Sequence, residues 1–84
     1  MNNSKSQCID FLVYVISLLK DDAKELNQER KSIDDQLELS YMKGQLFSYY
    51  HFFNLLKSQC FHFDISEEEL GINDFNEIDL LTKE

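Results

Sequence analysis

The chain has 84 residues and a mass of 10.0 kDa, with 43% hydrophobic and 29% charged residues, proportions typical of a globular protein. It contains no proline and only two glycines, Gly44 and Gly71. Such a composition excludes a turn-rich β-sandwich or β-barrel and a glycine-rich phosphate-binding loop. We therefore predict a single all-α domain over residues 1–84.

The net charge of −8 is unevenly distributed along the chain. Residues 64–84 hold eight acidic side chains and one base, whereas residues 1–63 hold eight acids and seven bases. Since proteins bind phosphate backbones through Lys and Arg, this balance predicts no direct binding to nucleic acid or to an anionic membrane. A basic protein is the partner that the acidic segment favours, although acidic surfaces also serve only to keep small domains in solution.

The first predicted element is a helix over about 6–28. Its apolar positions alternate steps of three and four residues, as one face of a helix requires: Ile9, Leu12, Ile16, Leu19, Ala23 and Leu26. The most apolar stretch, 9–19, contains Asp10 and is about half the roughly 20 residues that a membrane span needs. With only two cysteines, the chain lacks the pattern of a disulfide-rich secreted scaffold, and we expect a cytoplasmic protein.

The second predicted element is a helix over about 32–62. Ser32 and Asp35 resemble a capping box at its start, and apolar residues again step by three and four: Leu39, Met42, Leu46, Tyr49, Phe53, Leu56, Cys60 and Phe63. Such a helix would be roughly 46 Å long, whereas a compact globule of this size is about 30 Å across. Either the helix breaks at Gly44 or the molecule is elongated, and we expect elongation.

The segment 46–56, LFSYYHFFNLL, is apolar or aromatic around most of its circumference. One neighbouring helix covers only one stripe, so we predict that two antiparallel helical hairpins pair into a dimeric four-helix bundle. The chain's own C-terminal segment is the competing cover. The residues predicted to form the interface are Tyr41, Gly44, Phe47, Ser48, Tyr50, His51, Phe52 and Leu55. Gly44, Ser48 and His51 indicate either a close helix crossing at the dimer axis or a solvent-facing groove.

The acidic segment 64–84 contains its own signals for short helical turns. Ser66 and Glu69 have the spacing of a capping box, and Gly71 is placed to end the turn. The apolar residues predicted to dock this segment onto the helices are Leu70, Ile72, Phe75, Ile78 and Leu81.

The side chains that could carry chemistry are few. Cys8, Cys60, His51 and His62 lack the paired spacing of a metal site, and Cys60 occupies a position where the apolar stripe requires a small hydrophobe. A catalytic thiol needs an electropositive setting, whereas Cys60 precedes the acidic segment. We therefore expect no metal, no cofactor and no enzymatic activity.

Two functions of different classes follow from these patterns. The first is a homodimeric protein–protein interaction module that binds through its aromatic helix face or its acidic segment. The alternative is an acidic inhibitor of a basic partner, such as an immunity protein, an antitoxin or a nucleic-acid mimic. A docked acidic segment would present a fixed patch suited to mimicry, whereas a mobile one would fold on a partner. A small-molecule sensor is a third class, but aromatic residues at helical spacing are core more often than ligand pocket.

Overall fold

The structure is a computed structural model that describes residues 3–81, with side chains from residue 6 onward. Two long helices, α1 (Asn3–Arg30) and α2 (Gln36–His62), precede two short 3₁₀ turns at Glu67–Leu70 and Glu77–Leu81. No strand occurs among the described residues, so the all-α prediction is confirmed. Residues 82–84 of the predicted acidic segment lie outside the described part of the chain.

The helix α1 is longer at both ends than the predicted range of about 6–28. Its buried residues are Ile16, Ala23 and Arg30, spaced seven residues apart. Seven residues make about two helical turns, so the three side chains lie on one face. The helix ends where Ser32 donates from its hydroxyl to the carbonyl oxygen of Glu29, at 3.1 Å.

The helix α2 begins later than predicted. Its N-cap is Asp35, whose carboxylate accepts a hydrogen bond from the backbone N–H of Leu37 at 3.3 Å. The predicted capping box starting at Ser32 is therefore wrong, because the Ser32 hydroxyl is used to end α1. The predicted end at residue 62 is confirmed.

The helix α2 continues through Gly44 without a break. The molecule measures 53 × 21 × 17 Å and has a radius of gyration of 15.0 Å, against about 12 Å for a compact chain of this length. The predicted elongation is therefore confirmed. A Cβ atom added at Gly44 would meet no described atom within 4 Å, so packing within the chain does not require glycine there.

The chain reverses direction after α2 and returns along the hairpin. Asp64 adopts a left-handed conformation with φ of 57°, and the N–H of Ile65 bonds the Cys60 carbonyl at 2.9 Å. The first 3₁₀ turn then carries the predicted capping box between Ser66 and Glu69, and it ends at Gly71, with φ of 72°.

The hydrophobic core lies where this C-terminal segment packs against both helices. Among the described residues, the segment supplies four of the nine buried members of the core cluster: Leu70, Ile72, Phe75 and Leu80. The helices supply the other five: Ile16, Ala23, Leu46, Phe53 and Cys60. Two helices alone would leave these residues exposed on one side, so the C-terminal segment is an integral layer of the fold.

Candidate interaction surfaces

The C-terminal segment is docked through three of its five predicted anchors. Leu70, Ile72 and Phe75 are buried. Ile78 and Leu81, by contrast, are 58% and 41% exposed, so the structure corrects the prediction at these two positions. A 3₁₀ helix has three residues per turn, which places residues 77 and 80 on the inward side and residues 78 and 81 on the outward side.

The helix α2 holds the segment through a buried ion pair. Glu77 is 6% exposed, and its Oε1 lies 2.9 Å from Nζ of Lys57, while Asn54 donates to Oε2 at 3.3 Å. The same Lys57 ammonium donates to the carbonyl oxygen of Phe75 at 2.6 Å. Burial by itself raises the pKa of Glu77, but hydrogen bonds from Lys57, a backbone N–H and Asn54 outweigh it and hold that pKa below its ordinary value.

The helix α1 provides a second, more exposed anchor. Nζ of Lys20 donates to the Gly71 carbonyl at 2.7 Å and lies 3.3 Å from Oδ1 of Asp74. The hydrogen bond and the charge of Lys20 lower the pKa of Asp74. The segment is thus attached to each helix by a lysine that bonds both a main-chain carbonyl and a carboxylate.

Sequence reasoning missed both of these lysines. Lys20 lies between Ile16 and Ala23 on the inward stripe of α1, and Lys57 lies between Phe53 and Cys60 on that of α2. A cation at such a position needs a partner once it is buried, so it predicts an acid on whatever packs there. The sequence contains this signal, but the signal does not identify which acidic residue is the partner of each lysine.

The eight residues predicted to form one interface point in three directions. Three of them, all exposed, lie on the side of α2 remote from α1, which we call the outer face: Gly44, His51 and Leu55. Tyr41 and Ser48, also exposed, lie towards the side of Phe52, because Tyr41 is about 20° from Phe52 around the helix and Ser48 lines a cleft with Leu19 of α1. Phe47 lines a cleft with Leu80 and Leu81, on the side that the C-terminal segment occupies. Tyr50 is half-buried, and its ring lies 6.0 Å from that of Phe47.

Phe52, the eighth residue, lies on the opposite side of the hairpin from the C-terminal segment. Phe52 is five residues from Phe47 and five from Lys57, which places it about 140° around the helix from each of them. Phe47 and Lys57 both lie against the C-terminal segment. Phe52 lines a cleft of about 210 Å³ with Leu19 of α1 and with Ser48 and Tyr49.

This cleft belongs to a larger apolar surface that spans both helices. On the side of α1 that faces this cleft, apolar residues recur every four positions. On α2 they recur at steps of three and four positions. We call this surface the rear face, and it consists of Phe11, Val15, Leu19, Tyr49, Phe52 and Leu56. Of its α1 residues, sequence reasoning placed Leu19 on the apolar stripe but did not single out Phe11, which falls outside the stripe that begins at Ile9.

A second apolar cleft, of about 540 Å³, lies at the end of the hairpin remote from the α1–α2 turn. Ile9 and Leu12 of α1, Leu56 and Cys60 of α2, and Phe63, Ile65 and Leu70 beyond it are among its lining residues. Burial, together with the charges of Glu67 and Glu69, raises the pKa of the Cys60 thiol. The thiolate is therefore disfavoured, as expected of a cysteine used for packing. Cys8 is free and exposed.

The docked segment retains acidic side chains on its surface. Asp64, Glu68 and Glu69 are exposed, whereas Glu77 and Asp74 are paired with lysines. Part of the predicted negative patch therefore takes part in docking, through the buried Glu77 and the exposed Asp74.

Among the described residues, no group of three or more His, Cys, Asp or Glu side chains is arranged to hold a metal ion. Neither α1 nor α2, over its described residues, combines the length and the apolar character that crossing a bilayer requires.

Comparison of the chain with protein families, curated proteins and solved structures finds no match. What the protein binds is therefore inferred from its own surfaces. The two that bear on association are the apolar faces of the hairpin and the acids of the docked segment.

Proposed function

We propose that this protein is a non-enzymatic helical interaction module that acts as a homodimer, in which two hairpins form a four-helix bundle. The observation that carries the proposal is the apolar surface that remains exposed after the C-terminal segment has docked. Phe11, Phe47, Phe52 and Leu55 all stay in contact with solvent in the single chain. Exposed apolar side chains mark interaction sites in soluble proteins where they form a patch, as Phe52 does with Leu19 and Tyr49 around one cleft.

The distribution of charge along the helices supports an interface at mid-hairpin. Residues 11–19 and residues 44–56 contain no Asp, Glu, Lys or Arg. The structure brings these two stretches side by side, because Leu19 and Phe52 share one cleft and Leu12 and Leu56 share another. Charged residues are depleted at the cores of protein interfaces in the same way.

The roles of the buried titratable groups support a binding protein rather than an enzyme. Glu77, which is buried, is fully engaged by Lys57 and Asn54, and Cys60 is held as the neutral thiol. Each therefore has a structural use. Both described cysteines are free thiols, which suits the reducing cytoplasm that the sequence predicts.

The proposal is tested by the absolute mass in solution, measured by size-exclusion chromatography with light scattering at low and moderate salt. The chain mass is 10.0 kDa, so a dimer of about twice that mass is expected at both salt concentrations. An apolar interface does not weaken as salt screens charge. A monomer at every concentration up to about 100 μM, well above the Kd values of stable homodimers, would contradict the proposal.

The alternative, an acidic inhibitor of a basic partner, is favoured by a different observation. The capping box of Ser66 and the left-handed Gly71 fix the turn that carries Glu68 and Glu69, so these acids form a rigid patch. A basic partner would bind quickly and lose affinity as salt rises. Replacing both glutamates with glutamine would weaken such a complex while leaving the mass of the free protein unchanged.

A further inference from the structure

We infer that the second copy of the chain is seated on the rear face, so that the dimer is closed by Phe11, Val15, Leu19, Tyr49, Phe52 and Leu56 of each protomer. This inference rests on the proposed homodimer and names the surface that forms it. It places both C-terminal segments on the outside of the four-helix bundle. The outer face of α2, for which the sequence leaves open either a close helix crossing at the dimer axis or a solvent-facing groove, then remains solvent-facing.

The rear face suits a four-helix bundle because it includes both helices of the hairpin. In such a bundle each helix packs against neighbours on two sides, one within its own hairpin and one in the partner. The outer face belongs to α2 alone and would leave α1 without a partner. Its centre is also small and polar, since it consists of Gly44 and the exposed His51, with the Ser48 hydroxyl at its edge donating to the Gly44 carbonyl at 3.3 Å.

The charge distribution favours a second copy over a different partner. The rear face offers no ionised side chain with which to select a partner of opposite charge, whereas an apolar patch matches itself across a two-fold axis. Residues 64–84, with eight acids and one base, carry almost all of the net charge of −8. Docking on the rear face keeps these two acidic segments on opposite sides of the bundle, where their mutual repulsion is smallest. The segment reaches only the Leu56 end of the rear face, through the cleft that Leu56 shares with Leu70, because Lys20 and Lys57 hold the rest of the segment on the other side.

A pair of matched double substitutions tests the location of the interface. The rear variant is Phe11→Glu with Phe52→Glu, at side chains that are 65% and 40% exposed in the single chain. The outer variant is Leu37→Glu with Leu55→Glu, at 82% and 58%. Both add two negative charges and remove two large apolar groups. Light scattering gives the mass of each, and circular dichroism checks that each remains helical.

The rear variant should weaken dimerisation by at least about 30-fold, as loss of a central interface residue does, and should run as a monomer. The outer variant should remain a dimer. Because Phe52 also contacts Phe53, with ring centroids 5.1 Å apart, the single Phe11→Glu change is measured as well and should weaken the dimer in the same direction. The Phe11 ring is more exposed than the Phe52 ring, so this single variant keeps the test valid if the double variant unfolds.

Each outcome bears on one claim. A rear variant that stays dimeric, or an outer variant that dissociates, overturns the rear-face assignment while the wild-type dimer stands. A monomeric wild type removes the homodimer and, with it, the rear-face assignment. A monomeric rear variant beside a dimeric outer variant establishes the assignment.

Discussion

The ring of Phe75 lies 4.5 Å from the ring of Phe53, centroid to centroid, and both side chains are buried. This contact joins the middle of α2 to the C-terminal segment across 22 positions of sequence. It is the apolar centre of the docking arrangement, and the ion pair of Lys57 with Glu77 lies beside it. The segment is therefore held by burial and by charge at adjoining positions.

Phe75→Ala should destabilise the protein by about 3 kcal/mol or more, because it removes a buried aromatic ring and leaves a cavity. Urea denaturation followed by circular dichroism gives the free energy of unfolding. Ile78→Ala is the matched control in the same segment, at an outward position, and should change that free energy by less than about 0.5 kcal/mol. Similar small effects at both positions would show that the segment does not pack as described.

Lys57→Met should destabilise the protein by about 3 kcal/mol, because it leaves the buried carboxylate of Glu77 without its cation. Lys20→Met serves as the comparison and should cost less, since its acidic partner Asp74 is exposed to solvent. Denaturant titrations at pH 7 measure both. An equal loss for the two variants would mean that the buried pair contributes no more than the surface pair.

Stability should fall in acid partly through Glu77. The folded state lowers the pKa of this carboxyl. Its contribution is therefore complete above the unfolded value of about 4.3 and is lost as the pH falls through the lower, folded value. Glu77→Gln should be less stable than the wild type at pH 7, and the gap should narrow below about pH 4. A gap that does not change between pH 7 and pH 3 would contradict this account of the ion pair.

The two glycines should respond to alanine in opposite directions. Gly71→Ala should destabilise by about 1 kcal/mol, because alanine is strained at the left-handed φ of 72°. Gly44→Ala should stabilise by about 0.5–1 kcal/mol, because the residue is in a helix interior and the added methyl meets no described atom. The Gly44 variant should also remain dimeric. Dissociation of that variant would indicate a close helix crossing at Gly44, one of the two alternatives that the sequence leaves open.

The local elements of this protein were determined by its sequence. Apolar residues at steps of three and four define both long helices, and Ser66, Glu69 and Gly71 define the first 3₁₀ turn. These signals succeed because they depend on hydrogen bonds and contacts between residues within about five positions of one another. The predicted start of α2 was wrong because the Ser32 hydroxyl bonds the Glu29 carbonyl at the end of α1, which leaves Asp35 to cap α2.

The direction that each apolar surface faces was decided only by the tertiary structure. Residues 46–56 are aromatic around most of the helix, so periodicity could not say which ring meets the C-terminal segment. The choice is made by contacts between distant positions, such as Lys57 with Glu77 and Lys20 with the Gly71 carbonyl. Those contacts fix the segment on one side of the hairpin, bury Leu80 rather than Leu81, and leave Phe52 on the other side. Packing against a particular neighbour sets such choices, and no local pattern in the sequence encodes which neighbour that is.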